Sequence, residues 1–165
     1  MYEDIVRFMQ KTDCIFFQFA KAYQLSGRFL TSKVSELNLT SVQAMVLGFL
    51  TEEDQITSSE LGKRAELDSA TLTGVLDRLE AAGYLERKSN PDDRRSIHIH
   101  LTSKGKALGL KASQLIIRAN QEFLQVLTDK QKKELREIIL TLRLSKLRHQ
   151  DANANPGASA GERQR

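Results

Sequence analysis

One cysteine, two prolines and no tryptophan occur in 165 residues. A single thiol, Cys14, cannot build an internal disulfide framework or a cysteine-rich zinc site, and it suits reducing surroundings. With proline confined to Pro91 and Pro156, little interrupts helix formation, so a largely α-helical architecture is expected. No apolar run approaches the roughly 18 residues that suggest a membrane span. Met1-Tyr2-Glu3-Asp4 also lacks the basic-then-apolar order of a signal peptide. The expectation is a cytoplasmic protein with no membrane partner. No Ser-His-Asp arrangement, phosphate-cradling glycine loop or isolated carboxylate pair stands out, so no catalytic residue is assigned and an enzyme is not expected.

What is present fits a soluble domain: 40% apolar and 28% charged residues, in a length that one domain can use to bury a core. The formal charge of +4 permits a polyanionic partner without requiring one. Its distribution matters more. Residues 58–106 carry nine basic and eight acidic side chains, whereas 130–148 carry seven basic and two acidic.

Ile5, Phe8, Met9, Thr12, Ile15, Phe16, Phe19 and Tyr23 recur at spacings of three and four, which predicts a first helix over much of 3–31. Thr40-Ser41-Val42-Gln43 and Thr57-Ser58-Ser59-Glu60 each fit a reciprocal capping box, predicting a second helix after Thr40 and a short third one to about Ala65. Asp68 can cap a fourth, with Leu72, Val75, Leu76 and Leu79 on its apolar face and Gly83 at its end. Three helices in close succession with a tight turn between the last two match a helix-turn-helix.

The period then changes. Ile97, Ile99 and Leu101 alternate with His98 and His100 in the rhythm of a half-buried strand, and 84–88 can pair with it. Between them Ser89-Asn90-Pro91-Asp92-Asp93-Arg94-Arg95 suits a projecting hairpin loop, a wing. Thr102 can cap a long fifth helix, and Thr128 or Asp129 restarts the chain into a sixth. There Leu135, Ile138, Ile139 and Leu142 form a stripe that Leu140, Leu144 and Leu147 widen, which predicts burial against a second subunit. From 150 onward no large apolar residue occurs, predicting a disordered tail over 150–165.

The fourth helix, opposite its leucines, presents Ala70, Thr71, Thr73, Gly74, Asp77 and Arg78. Short side chains let a helix approach base edges in a major groove, where threonine can donate, accept or touch a thymine methyl. Ser69 and Thr71 lie near the helix N-terminus, which favours a phosphate. The same residues could form an ordinary solvated face. The wing adds weight, because Arg94 and Arg95 at the tip of a hairpin can enter a minor groove, with Asp93 orienting one of them.

Residues 68–105, DSATLTGVLDRLEAAGYLERKSNPDDRRSIHIHLTSKG, resemble the recognition helix and wing of the MarR regulators. The likeness includes the Asp-x-Arg-Ser pattern at Asp93, Arg95 and Ser96 and the Leu-Thr-x-x-Gly that follows, and it extends over about 4–148. It implies a mainly α fold: a winged helix-turn-helix with a two-stranded β wing and long N- and C-terminal dimerisation helices. The boundaries are then 1–149 for the domain, about 40–105 for a DNA-binding lobe, and about 3–31 and 103–149 for the dimerisation helices. The implied function is a homodimeric transcriptional regulator on pseudo-palindromic double-stranded DNA, a repressor released by a small-molecule ligand or an oxidant. Matching positions make Ser69, Thr71, Thr73 and Arg78 groove or phosphate contacts, and Arg95 the minor-groove residue oriented by Asp93.

Within the family, LDSATLTGVLDRLE looks nearest to the organic-hydroperoxide-resistance regulators, and Cys14 falls where those carry a reactive cysteine. That cysteine is supported by tyrosine hydroxyls from the partner subunit, whereas the corresponding region here offers Phe29 and Ser41, with the spacing shifted by about two residues, and Tyr23 is the only nearby tyrosine. Among Ile15, Phe16 and Phe17, Cys14 also reads as a small structural hydrophobe, and ligand control is the alternative to redox control. His98 and His100 share one strand face but lack a third ligand at metal spacing, so no metal or other cofactor is expected. From another class, the rival reading is a winged-helix module that binds protein without operator DNA.

Overall fold

A computed structural model describes residues 14–89 and 97–154. The chain divides into two compact units, Met1–Phe123 and Leu124–Arg165. The expected fifth helix falls in the first unit and the expected sixth in the second.

In the first unit the order is α1 (Ile15–Val34), a 3-10 turn (Ser35–Leu37), α2 (Ser41–Glu52), β1 (Ile56–Thr57), α3 (Ser58–Ala65), α4 (Ser69–Ala81), β2 (Leu85–Ser89), β3 (Ile97–Leu101) and α5 (Ser103–Phe123). The second unit contains α6 (Asp129–Ala154). The part of the first helix expected before residue 14, with Ile5, Phe8, Met9 and Thr12, lies outside the described residues. So do residues 90–96 and 155–165. Of the expected tail, 150–154 continue α6.

Local chemistry sets the helix starts. Thr40 and Gln43, and likewise Thr57 and Glu60, exchange side-chain and backbone hydrogen bonds, so two orphan N–H groups are satisfied at each N-terminus. The Thr57 N–H and hydroxyl that donate to Glu60 hold its carboxyl below the ordinary glutamate range, the backbone bond contributing most. Thr128 and Gln131 repeat the reciprocal arrangement before α6, which settles the choice between Thr128 and Asp129 as the cap.

The core is the apolar side of the helix-turn-helix closed by the sheet. Leu47 and Leu50 of α2, Leu61 of α3, Leu72, Leu76 and Leu79 of α4, and Leu85 and Ile99 of the strands are almost fully buried together. Val34 extends this cluster into α1, and Ala112 into α5. Among the described residues no polar or charged side chain is buried.

The hairpin is antiparallel in the register Leu85↔Leu101, Arg87↔Ile99 and Ser89↔Ile97. A third strand joins it: β1 pairs Ile56 with Ile99 and Thr57 with His98, giving the order β1-β3-β2. The two-stranded wing thus grows from a three-stranded base. Asp54 reinforces that base by accepting from Leu101 N–H at 2.9 Å and from Gln55 N–H at 2.9 Å.

Gly83 closes α4 at φ +73°, in the region where glycine carries no Cβ penalty, and Tyr84 N–H reaches back to Leu79 C=O. Thr102 then locks the end of the hairpin. Its hydroxyl donates to Gly83 C=O at 2.8 Å and accepts from Gly105 N–H at 3.0 Å, while Thr102 N–H donates to Tyr84 C=O at 3.1 Å. A Cβ at residue 105 would fall 1.7 Å from the Tyr84 oxygen, so glycine is required there. This is the physical content of the Leu-Thr-x-x-Gly pattern.

Candidate nucleic-acid interface

The N-terminus of α4 is built by Asp68. Its carboxylate accepts Thr71 N–H at 2.9 Å and the Thr71 hydroxyl at 2.7 Å. Those two bonds, the hydroxyl foremost, lower the Asp68 carboxyl below the ordinary aspartate range. One turn on, the Thr73 hydroxyl donates to Ser69 C=O at 2.7 Å. A threonine hydroxyl has one proton, so both threonines spend their donor within the helix. Outward they offer oxygen lone pairs and methyl groups. The donating role considered from sequence is therefore already occupied at Thr71 and Thr73, whereas accepting and methyl contact are open.

Leu72, Val75, Leu76 and Leu79 are buried, and Ser69, Ala70, Thr71, Thr73, Asp77 and Arg78 are exposed on the other side. Gly74 is half-buried, with nothing within 4 Å of the position a Cβ would take. Among the described residues, neither the Arg78 side chain nor the Ser69 hydroxyl has a partner. Between α3 and α4 an open cleft of about 550 Å³ is lined by Ser58, Ser59, Lys63 and Ser69 among others, which extends this polar surface along the helix-turn-helix.

Asp77 lies on this exposed face, with its carboxylate engaged by the hairpin. Its carboxylate accepts from Arg87 Nη2 at 2.8 Å, and Arg87 Nη1 reaches Glu80 at 2.5 Å. Sequence reasoning missed Arg87. The available signal was its position on the inner row of β2, two residues beyond Leu85, opposite two acidic residues three apart on α4.

Asp93, Arg94 and Arg95 lie outside the described residues, whereas the strands that carry their loop are described. His98 and His100 are half-buried neighbours on β3, with ring centres 6.5 Å apart. Among the described residues no group of three or more histidine, cysteine or acidic side chains could hold a metal.

Cys14 is half-buried at the start of α1. Of the residues compared with supporting tyrosines, Phe29 stacks obliquely on Phe123 at 5.2 Å. Ser41 lines a cleft of about 500 Å³ with Tyr23, Arg28 and Thr31, but Cys14 is not among its lining residues. A more apolar cleft of about 290 Å³ lies between α2 and α5, lined by Met45, Phe49, Ile116 and Ile117 with Glu52 and Ser113.

Comparison with known proteins covers both the lobe and the fold. A model described as the MarR family matches residues 39–97. The HTH-type transcriptional regulator TtmR of Methylorubrum extorquens is 43% identical over 82 residues, 50% of this chain and 42% of that protein. The organic hydroperoxide resistance transcriptional regulator of Bacillus subtilis is 39% identical over 79 residues, 48% of this chain and 54% of its own length. The matched segment spans 42–65% of the length of the first three curated relatives. Over the whole fold, the crystal structure of apo MarR from Escherichia coli is 30% identical with a TM-score of 0.63, covering 78% of this chain and 96% of that one. A cysteine-to-serine variant of the same protein, complexed with operator DNA, aligns with a TM-score of 0.72 at 29% identity, over 81% and 97% of the two chains. No described helix is long and apolar enough to cross a membrane.

Proposed function

Because the chain belongs to the MarR family, we propose that it is a homodimeric, sequence-specific DNA-binding transcriptional regulator that acts in the cytoplasm. The observation that carries this reading is the outward face of α4: small or hydroxylated side chains at Ser69, Ala70, Thr71 and Thr73, backed by four buried apolar residues. Such a helix can enter a major groove without a steric barrier. Thr71 and Thr73, with their protons engaged inside the helix, favour thymine methyls and the amino groups of adenine or cytosine over the acceptors of guanine. Ser69 and Arg78 bind phosphate, and Arg78 sets affinity rather than sequence. Arg94 and Arg95 enter the flanking minor groove, with Asp93 orienting Arg95.

The dimer follows from rows that a single chain leaves in water. On α1, Phe16 and Tyr23 are 78% and 79% exposed, with Ile15, Phe19 and Leu25 beside them. On α6, Leu135, Ile138, Ile139, Leu140, Leu142 and Leu144 are all exposed. Two continuous apolar helix faces of this kind call for a partner, and a second copy supplies matching ones. Two-fold symmetry then requires a pseudo-palindromic operator. Repression is relieved by a small amphipathic ligand, for which the cleft between α2 and α5 offers hydrocarbon with Glu52 and Ser113 at its rim, rather than by oxidation of Cys14.

The test is a genomic footprint of the purified protein, followed by gel shifts on the recovered and scrambled duplexes at several salt concentrations. Selective binding by a dimer, weakening steeply with salt, is expected. Equal affinity for recovered and scrambled duplexes, or a monomer that binds selectively, would overturn it.

A further inference from the structure

Arg87 faces inward from β2, on the same side of the sheet as Leu85 and its cross-strand partner Ile99. Those neighbours are buried, whereas the Arg87 side chain is 27% exposed, so the inner row changes from hydrocarbon to guanidinium as the hairpin leaves the core. Nη2 donates to Asp77 Oδ1 at 2.8 Å, Nη1 to Glu80 Oε2 at 2.5 Å, and the Arg87 backbone N–H to Glu80 Oε1 at 3.2 Å. Asp77 and Glu80, three residues apart, share one side of α4. Three bonds, each accepted by a carboxylate and so charge-assisted, thus tie the recognition helix to the hairpin beyond the edge of the apolar core.

The charge balance argues for geometry rather than attraction. Two carboxylates around one guanidinium leave the group net negative, and Asp77 immediately precedes Arg78, which has no partner among the described residues. Beside a phosphate backbone that is an electrostatic cost. We propose that Arg87, held by Asp77 and Glu80, is a positioning residue that fixes the angle between α4 and the β2–β3 hairpin and thereby sets discrimination between DNA sequences. This rests on the DNA-binding reading above. Helix and hairpin must reach their two grooves together, so a loosened angle penalises the selected sequence and leaves unselective phosphate attraction in place.

The substitution Asp77→Ala separates the two effects, since it removes a negative charge near DNA and suits a helix interior. Coulomb attraction alone would strengthen binding to every duplex. Loss of the tie instead weakens binding to the selected duplex by about tenfold, the worth of one base contact, with no loss on a scrambled duplex. Asp77→Asn, which still accepts a neutral hydrogen bond, falls between. Arg87→Ala should behave like Asp77→Ala and leave the salt slope unchanged, because a guanidinium enclosed by carboxylates releases no counterions; a phosphate contact would take away about 0.9 of slope.

The probes are a duplex of about 30 base pairs, long enough for two half-sites, enriched from a random pool by the native full-length protein, and its scrambled counterpart. Anisotropy titrations over a salt series give the affinities, and thermal melts establish that each variant is folded. Selective loss in Asp77→Ala, partial recovery in Asp77→Asn and an unchanged slope in Arg87→Ala support the inference. Asp77→Ala binding the selected duplex as tightly as native protein, or Arg87→Ala weakening both duplexes equally with a reduced slope, overturns it while native selectivity stands. A native protein that enriches no duplex overturns the DNA-binding reading, and this inference with it.

Discussion

Adding a single methyl group at Gly105 should cost the fold more than most point substitutions do. The new Cβ would lie 1.7 Å from the Tyr84 carbonyl oxygen, 2.7 Å from its carbon and 3.1 Å from its Cα, all backbone atoms. A carbon and an oxygen need about 3.3 Å, so the first turn of α5 would have to retreat by roughly 1.5 Å. That movement opens Gly105 N–H to Thr102 Oγ1, the Thr102 hydroxyl to Gly83 C=O, and Thr102 N–H to Tyr84 C=O. Three such bonds are worth about 3 kcal/mol together, residual strain adds about 1 kcal/mol, and the better helix propensity of alanine returns about 1 kcal/mol. Gly105→Ala should therefore lose about 3 kcal/mol. Gly74→Ala is the matched control, since nothing lies within 4 Å of its added Cβ and the helix interior should gain about 0.5–1 kcal/mol. Urea unfolding followed by helical circular dichroism, at one protein concentration because the protein is proposed to be a dimer, measures both. A loss below about 0.5 kcal/mol in Gly105→Ala, which is the scatter of ordinary surface substitutions, would refute the steric argument. So would an equal loss in Gly74→Ala.

On operator DNA, Arg95→Ala should lose about 1–3 kcal/mol of affinity with the fold intact, as removal of a base-edge contact does. Arg78→Ala should instead weaken selected and scrambled duplexes alike and reduce the salt slope by about 0.9; gel shifts over a salt series distinguish the two. Gln55 holds φ +64° without being glycine, so Gln55→Gly should raise thermal stability by about 1 kcal/mol through relief of the left-handed backbone. Asp68 has its carboxyl lowered in the folded state, so its cap stabilises the fold above the ordinary aspartate range and is lost as pH falls through the lowered value. The stability gap between native protein and Asp68→Asn should accordingly be widest near neutral pH and narrow in acid, and parallel acid titrations would expose a gap that stays constant. Finally, low organic hydroperoxide should leave operator binding unchanged in both native protein and Cys14→Ser; thiol-reversible release confined to the native protein would make Cys14 the sensor.

Features set within one helical turn were legible in the sequence. Thr40 with Gln43, Thr57 with Glu60, and Asp68 with Thr71 each join residues three apart, and each appears as expected. The leucine stripe of α4 likewise encodes its own buried side, and the alternation of Ile97, Ile99 and Leu101 encodes the strand. Contacts between elements left weaker traces. Asp54 bonds to Leu101 across 47 residues, and Arg87 to Asp77 across ten. Nothing in the periodicity of either partner announces such a pair. β1 was unreadable for a related reason: two residues carry no period, and Ile56 becomes a strand only because β3 lies beside it. The left-handed backbone at Gln55 and Glu66 uses residues that do not favour it, so the polar turn ending at Gln55 was legible but its conformation was not. At the candidate interface, the sequence indicated which side chains face outward on α4, but it could not reveal that the protons of Thr71 and Thr73 are spoken for, because that depends on rotamers.

The short pairing of Ile56 with Ile99 bears on the order in which the molecule assembles. A hairpin of two five-residue strands is marginal by itself in water. Here its inner strand gains a second neighbour only once the chain between α2 and α3 has turned, and the Asp54 carboxylate from that turn caps the strand's last N–H. The contacts that complete the sheet join distant parts of the chain, so their loop-closure cost favours formation after the local helices. Amide exchange in β3 should then follow the opening of the α2–α3 turn as well as that of β2. A disturbance of the turn between α2 and α3 should therefore reach β3 without any DNA, through the Ile56 pairing and the Asp54 carboxylate.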